Sequence, residues 1–495
     1  MPPDASGEET FDLKAKKQTG RAGKRRTMSA EWLLVVCSLA GSGTTLMARQ
    51  APAPASTPNT EETAAESADD LVPTMIPHAE WDRLWLSGSA NFISQYHPEF
   101  HSPYQGPNSL TPAAQDATSR VLTLYTGWRV NNTAEFLCDV QEAGGHGLSE
   151  ALGLGAETNL DVVRNPALSK APYIARLMWH QIIPLSGTKI ANVRNPFSLF
   201  RELPERRIEL RFGKFSMPDF FDQNTYGTDT NFQFMNWVVD NNGAYDYAAD
   251  TRGFTFGAVV EYHDRNWTLR FAEALMPKVA NGIHLDADLG RARAENVELE
   301  LHRRVLGKQE GVLRALGYVN HANMGNYRVA VDHFLSGITV APEITAHPLQ
   351  TTVKYGFGLN FEQPLNDWLG VFGRWGWNEG QHESFAYTEV DQTWQIGLGG
   401  KGSRWGRRYD RMGIVFVSDG INHEHQRYLG NGGLGFLLGD GRLTYGRENL
   451  LEGFYTVHLW RGIFPAAGVQ YIVNPGYNKD RGPVVVPTVR LHLEF

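Results

Sequence analysis

Cysteine is almost missing from this chain of 495 residues, with only Cys37 and Cys138 present. Two thiols so far apart build neither a disulfide framework nor a metal cluster, and Cys138 reads as a small packing residue. An excess of positive charge is missing too. Lysine and arginine number 46 against 54 acidic residues, a formal balance of −8, which argues against a nucleic-acid partner. Beyond residue 50 no run approaches the ~18 uninterrupted apolar residues of a spanning helix. That excludes a bundle of membrane helices but not a transmembrane barrel, whose strands alternate and average out as polar. Cofactor and enzyme signatures are lacking as well. The glycine-rich GNGGLGFLLG (430–439) and GDGRLTYG (439–446) have no Lys-Ser/Thr and helix behind them, so they read as turns and barrel bends. No G-x-S-x-G elbow occurs. GGHG (144–147) and NHEHQ (422–426) hint at metal. His423 and His425 would share one strand face there, without a third ligand, so no metal and no cofactor is expected.

What is present begins with a basic head, Lys14 to Arg26, followed by WLLVVCSLAGSGTTLMA (32–48). This is the layout of a secretory signal. Residues 1–50 are therefore expected to be a signal peptide with an extended basic N-terminus, starting at Met1 or Met28. Residues 51–77 are rich in Pro, Ala, Thr and acid and read as a disordered linker.

From residue 78 to 495 short alternating segments recur between turn-rich pieces. RIELRFGKF (207–215), NWTLRFAEA (266–274), VKYGFGLNFE (353–362) and TWQIGLGG (393–400) are examples. Each is near the ~9–11 residues of a tilted spanning strand. The expected fold class is all-β, a transmembrane antiparallel β-barrel of about 16 to 18 strands, even in number. Aromatics near strand ends (Trp81, Trp85, Tyr125, Trp128, Trp375, Trp377, Tyr455 and Trp460) suit interfacial girdles. The chain ends on TVRLHLEF, with Val489, Leu491, Leu493 and Phe495 on one face and Arg490, His492 and Glu494 on the other. In lipid such a strand must pair with the first strand, because an open edge has no partner.

One segment departs from the alternation. After Phe215 about 35 residues carry Asp219, Asp222, Asp229, Asp240, Asp246 and Asp250, interleaved with amides and with Phe220, Tyr226, Trp237, Tyr245 and Tyr247. Unstructured loops this long are usually functional. Acids, amides and flat rings suit sugars, whose hydroxyls need donors and acceptors and whose C–H faces stack on rings. Either the loop folds inward and narrows a lumen, or it packs on itself outside, its acids solvated or binding divalent ions. For the first case the constriction residues are Asp219, Asp222, Asn236, Trp237, Asp246, Asp250 and Arg252. Acids and amides would bond hydroxyls, Trp237 would offer a stacking face, and Arg252 would oppose the acids across the pore.

The stretches GKFSMPDFFDQN (213–224), QFMNW (233–237), DNNGAYDYAADTRGFTFG (240–257) and NPGYNKDRGPV (474–484) resemble the carbohydrate-selective porin family, the OprB-like porins. The similarity runs from about Trp81 to Phe495, while SPYQGPNSL (102–110) and NLDVVRNP (159–166) look like a divergent branch. The resemblance implies a sixteen-stranded channel in the outer membrane of a diderm bacterium, passing monosaccharides and similar solutes by diffusion, and no enzyme. It also implies that the terminal Phe495 is part of a C-terminal signal read by the barrel-insertion machinery. Outer-membrane lipid surrounds such a channel, and a homotrimer is one assembly open to it. The alternatives are an outer-membrane barrel hydrolase and a non-selective or export channel.

Overall fold

The computed structural model describes residues 72–78, 81–162, 168–304 and 309–495. The expected signal peptide, 1–50, and all but the end of the expected linker lie outside them. The strands are β1 (Leu84–His97), β2 (Gln115–Arg129), β3 (Ala134–Gly145), β4 (Tyr173–Pro184), β5 (Lys189–Ala191), β6 (Glu202–Pro204), β7 (Arg207–Phe215), β8 (Thr255–Asp264) and β9 (Trp267–Ala274). After them come β10 (Arg293–Arg303), β11 (Gly311–Ala322), β12 (Thr352–Pro364), β13 (Leu369–Asn378), β14 (Gln392–Gly402), β15 (Arg407–Gly420), β16 (Glu448–Thr456), β17 (Ile463–Val473) and β18 (Val484–Glu494). Sixteen of them form one closed antiparallel barrel; β5 and β6 make a separate hairpin in the β4–β7 connection.

Closure occurs where the chain ends. β18 runs antiparallel to β1, with Ser89 opposite Glu494 and Gln95 opposite Thr488. Phe495 and Gly88 exchange two backbone hydrogen bonds of 2.8 and 3.1 Å. Alternation in β18 is what lipid outside and a polar interior demand. Val489 is 62% exposed, while its neighbour Arg490 is fully covered. The described end of the expected linker lies along this seam. Met75 N donates to the Glu494 carbonyl at 2.7 Å.

Connections differ sharply between the two ends. At one end most are tight, as at 130–133, 265–266, 365–368 and 403–406, the exception being 185–206 with its β5–β6 hairpin; at the other they are long, as at 146–172, 216–254, 323–351 and 421–447. Short periplasmic turns and long outer loops are the usual polarity of outer-membrane barrels. Among the described residues no helix is long and apolar enough to cross a membrane. Leu124, Phe212, Phe271, Tyr355, Trp375, Trp394 and Ile414 are large apolar groups exposed on the outer surface. Trp81, Trp128 and Trp460 are also exposed, whereas Trp85 is buried beneath the Arg194 guanidinium.

Two short helices, α2 (Tyr327–Leu335) and α3 (His423–Gly430), pack together in the long loops; the four-residue turn α1 (Trp237–Asp240) lies in the loop 216–254. NHEHQ is therefore helical and not a strand. Asn422 caps it, its side chain accepting from Glu424 N. Its two histidines consequently diverge. His423 is exposed, while His425 is buried against Asp391 at 3.1 Å and stacks on Tyr327.

Candidate functional site: the lumen and its infolded loop

The loop 216–254 lies inside the barrel. Residues 234–250 are buried throughout, yet only four of them are helical. Buried backbone polar groups need partners, and here the barrel wall supplies them. Wall carboxylates take the N–H groups. Glu298 accepts from Asp222 N at 2.7 Å, and Glu452 accepts from Met235 N at 2.8 Å. Wall amides and phenols take the carbonyls. Gln395 donates to Val238 O at 2.8 Å, Asn320 to Asp246 O at 2.6 Å, and Tyr318 to Ala244 O at 2.7 Å. These wall residues come from β10, β11, β14 and β16, so the loop reaches across the lumen.

Arg374 on β13 is the most heavily engaged anchor. Its Nε lies 2.9 Å from the Asp222 carboxylate. Its Nη1 donates to Val239 O at 2.6 Å, and its Nη2 donates to Thr228 Oγ1 at 2.6 Å and Asp240 O at 3.0 Å. The planar donor fork of arginine matches such a set of oxygens. Close approach is permitted by a pair of glycines facing each other in the ladder, Gly358 and Gly376. A Cβ on Gly376 would sit 1.9 Å from Asn242 Oδ1, and one on Gly358 2.6 Å from Asn242 Nδ2.

Between the loop and the wall of β1 to β4, reaching round to β7 to β9, remains a cavity of about 770 Å³. Four of the seven residues singled out above line it: Asp219, Trp237, Asp250 and Arg252. Asp219 is gripped by Arg176, whose Nε donates to it at 2.6 Å. Trp237 stacks parallel on Tyr387, centroids 5.7 Å apart, and donates from Nε1 to Asn159 O at 2.9 Å. Asp250 accepts from Arg252 N and Phe254 N, closing a turn. Burial pushes its carboxyl above the ordinary range against those two N–H groups. Arg252 sits over the Tyr173 ring at 4.0 Å and donates to Ser169 O. It belongs to the same loop as the acids, beside Asp250.

The other three face the wall instead. Asp222 pairs with Arg374; Asp246 meets Lys354 Nζ at 3.1 Å and accepts from Phe385 N and Ala386 N at 2.9 Å. Asn236 caps α1, its side chain accepting from Val238 N, and its Nδ2 donates to Gln470 at 3.2 Å. Sequence reasoning passed over the wall anchors Glu298, Asn320, Arg374, Gln395 and Glu452. Their signal was present, since each occupies an inward period-two position of a strand.

The inward face of β7 to β10 carries an ordered charge ladder, part of which lines the cavity. Arg211 pairs with Glu209 and Glu261, and Arg270 joins Glu261, Glu298 and Glu300 at 2.8 to 2.9 Å. Glu209, Glu261 and His263 offer ligand atoms within 4.8 Å of one another. Arg211 already spans both carboxylates there and supplies the positive charge a metal ion would bring.

A closed barrel with an apolar outside, a polar inside and a loop folded into its bore is an outer-membrane diffusion channel. Comparison with known proteins narrows the class. The sequence profile described as "Carbohydrate-selective porin, OprB family" matches residues 108–495, and the chain belongs to that family. It is an outer-membrane porin forming a channel for carbohydrates. No curated protein matches it. Among solved structures, the high-pH form of Pseudomonas putida OprB is similar with a TM-score of 0.64 and 14% identity over 84% of this chain and 94% of that one. The low-pH form gives 0.45 and 11% over 84% and 93%. The outer membrane channel DcaP of Acinetobacter baumannii gives 0.44 and 8% over 83% and 97%.

Proposed function

We propose that this porin passes monosaccharide-sized solutes by passive diffusion through the cavity between the infolded loop and the β1 to β4 wall. The observation that carries the reading is the combination found there: carboxylates, guanidinium groups and a parallel Trp237–Tyr387 stack around about 770 Å³. Asp219, Asp250 and Arg252 would exchange hydrogen bonds with sugar hydroxyls, and Trp237 would meet a C–H face. Asp222, Asn236 and Asp246 would act one step back, by holding the loop against the wall. Contacts of this kind must stay weak, because a solute that binds tightly does not leave.

Liposome swelling with sugars of rising size tests the reading. Monosaccharides should enter readily and trisaccharides barely; equal entry of both would overturn it. Two further readings accompany it. The outward alternation of β18 and its terminal Phe495 support recognition by the barrel-insertion machinery, so deletion of Phe495 should reduce assembled barrel. On the outward face of β16 to β18, Ala467 stands opposite Val489 and Gly453 opposite Val469, and these modest side chains support a homotrimer packed on that face within the lipid. Crosslinking in native membranes checks it.

A further inference from the structure

The channel cavity is not evenly balanced in charge. Three of its four arginines are already neutralised: Arg176 by Asp139 and Asp219, Arg211 by Glu209 and Glu261, and Arg270 by Glu261, Glu298 and Glu300. The fourth, Arg252, stands beside Asp250. Against them stand four cavity-lining carboxylates with no arginine or lysine in ion-pair contact among the described residues: Asp161, Asp229, Asp240 and Asp250, the last held by the backbone N–H groups of its own turn. Asp161 accepts from Asn91 Nδ2 at 2.6 Å, and among the described residues Asp229 accepts only from Asn231 N and Phe232 N, at 3.1 and 3.2 Å.

Asp240 is the most exacting case. It is 6% exposed and lines the cavity, yet among the described residues no hydrogen bond or ion pair reaches its carboxylate. Its only bonds are through the backbone, its carbonyl accepting from Thr228 and Arg374. Burying an ionised group without a partner is costly. The positive groups nearby do not bond it. Arg374 grips Asp222. Arg490 is fully buried, its Nη1 and Nη2 donating to the neutral Thr230 O, Gln233 O and Thr456 Oγ1, and its charge reaches Asp161 and Asp229 without an ion-pair contact. His492 pairs with Glu494 at 2.7 Å. The rings of Trp237, Tyr247 and Tyr387 line the same cavity, and aromatic faces attract cations.

We propose that Asp161, Asp229 and Asp240, with the Trp237–Tyr387 stack, form a subsite for a cationic group, and that the solute it favours is a protonated amino sugar over its neutral or acidic counterparts. The inference rests on the diffusion reading above and names which sugars it would serve best. The ammonium group would take the place of the missing counter-ion at Asp240, while the sugar's C–H face lies on Trp237. A small inorganic cation has the same charge chemistry and is the second source to distinguish.

The test uses the full-length protein in planar bilayers at about pH 7.5, where an amino sugar, its ammonium acidified by neighbouring oxygens, is roughly half protonated. In a potassium chloride gradient the zero-current potential should show potassium preferred over chloride. D-Glucosamine should block ion current at concentrations about five- to tenfold lower than D-glucose, as one partly screened charge contact gives. Asp240→Asn should bring the two sugars within about twofold of each other. Asp161→Asn with Asp229→Asn provides a second variant that leaves the loop anchors intact and should act in the same direction. Potassium preference without any glucosamine advantage would support the cationic subsite with an inorganic ion as its occupant. Equal block by both sugars together with no preference between potassium and chloride would overturn the inference while leaving the channel reading standing. Absence of any conductance or sugar entry would overturn both.

Discussion

Arg374→Met removes the guanidinium that ties the infolded loop to β13 while leaving an apolar stem of similar length. The side chain meets Asp222 at 2.9 Å, Val239 O and Thr228 Oγ1 at 2.6 Å, and Asp240 O at 3.0 Å. Both charged partners are buried, the arginine side chain completely and Asp222 to 2% exposure. Breaking a buried pair by deleting one partner costs about 3–5 kcal/mol, because the remaining charge is stranded. The loop keeps its other anchors, each contributing about 1 kcal/mol net, and the barrel ladders are untouched. The barrel should therefore assemble normally, while the anchored-to-released equilibrium of residues 222–240 shifts by about 10²- to over 10³-fold. In single-channel records this appears as a long-lived substate of higher conductance, and in swelling assays as entry of larger sugars. Adding Asp222→Asn removes the stranded charge and should recover part of the loss, measurable as a coupling energy in the double-mutant cycle. If Arg374→Met kept the wild-type conductance, noise and size limit, the claim that this guanidinium holds the loop would be wrong.

Two other outcomes are expected. Gly376→Ala places a Cβ 1.9 Å from Asn242 Oδ1; Asn242 is tethered by Trp375 O at 3.1 Å and Ala244 N at 3.0 Å, so overpacking should cost about 1–3 kcal/mol and raise current noise, read against Gly376→Ser and wild type. The Asp240 carboxyl is pushed up to about 7 by burial, with Arg374 opposing and Asp229, Asp222 and Asp161 reinforcing the shift. Between its ordinary 3.8 and about 7 the docked loop holds a proton that the unfolded chain has lost, so docking weakens as pH rises across that window. Potassium preference should grow over the upper part of the same window, and zero-current potentials recorded at stepped pH should show Asp240→Asn with a flatter profile.

How much of this was legible beforehand follows from which forces act locally. Alternation in RIELRFGKF, NWTLRFAEA and TVRLHLEF is a property of each strand alone, since lipid and lumen sort side chains by a period of two. The strand RIELRFGKF, ending at Phe215, could thus be placed to the residue. NHEHQ could not be read as a helix from its histidines, because the decisive feature is the cap at Asn422 and the packing of α3 on α2. The acid-rich loop was visible as composition, but composition does not say which acid faces which way. Asp219 and Asp250 turn to the cavity, and Asp222 and Asp246 to the wall, because Arg374 and Lys354 stand there on strands more than a hundred residues further along the chain.

The sequence by itself determined a membrane barrel, its closing strand and the one loop rich enough in acid and aromatic groups to matter, because periodicity and local chemistry are written along the chain. Tertiary structure alone decided that this loop lies inside the bore. Its backbone has almost no secondary structure of its own, so its hydrogen bonds are completed by Glu298, Asn320, Arg374, Gln395 and Glu452 from distant strands, and such pairings exist only once the barrel has closed.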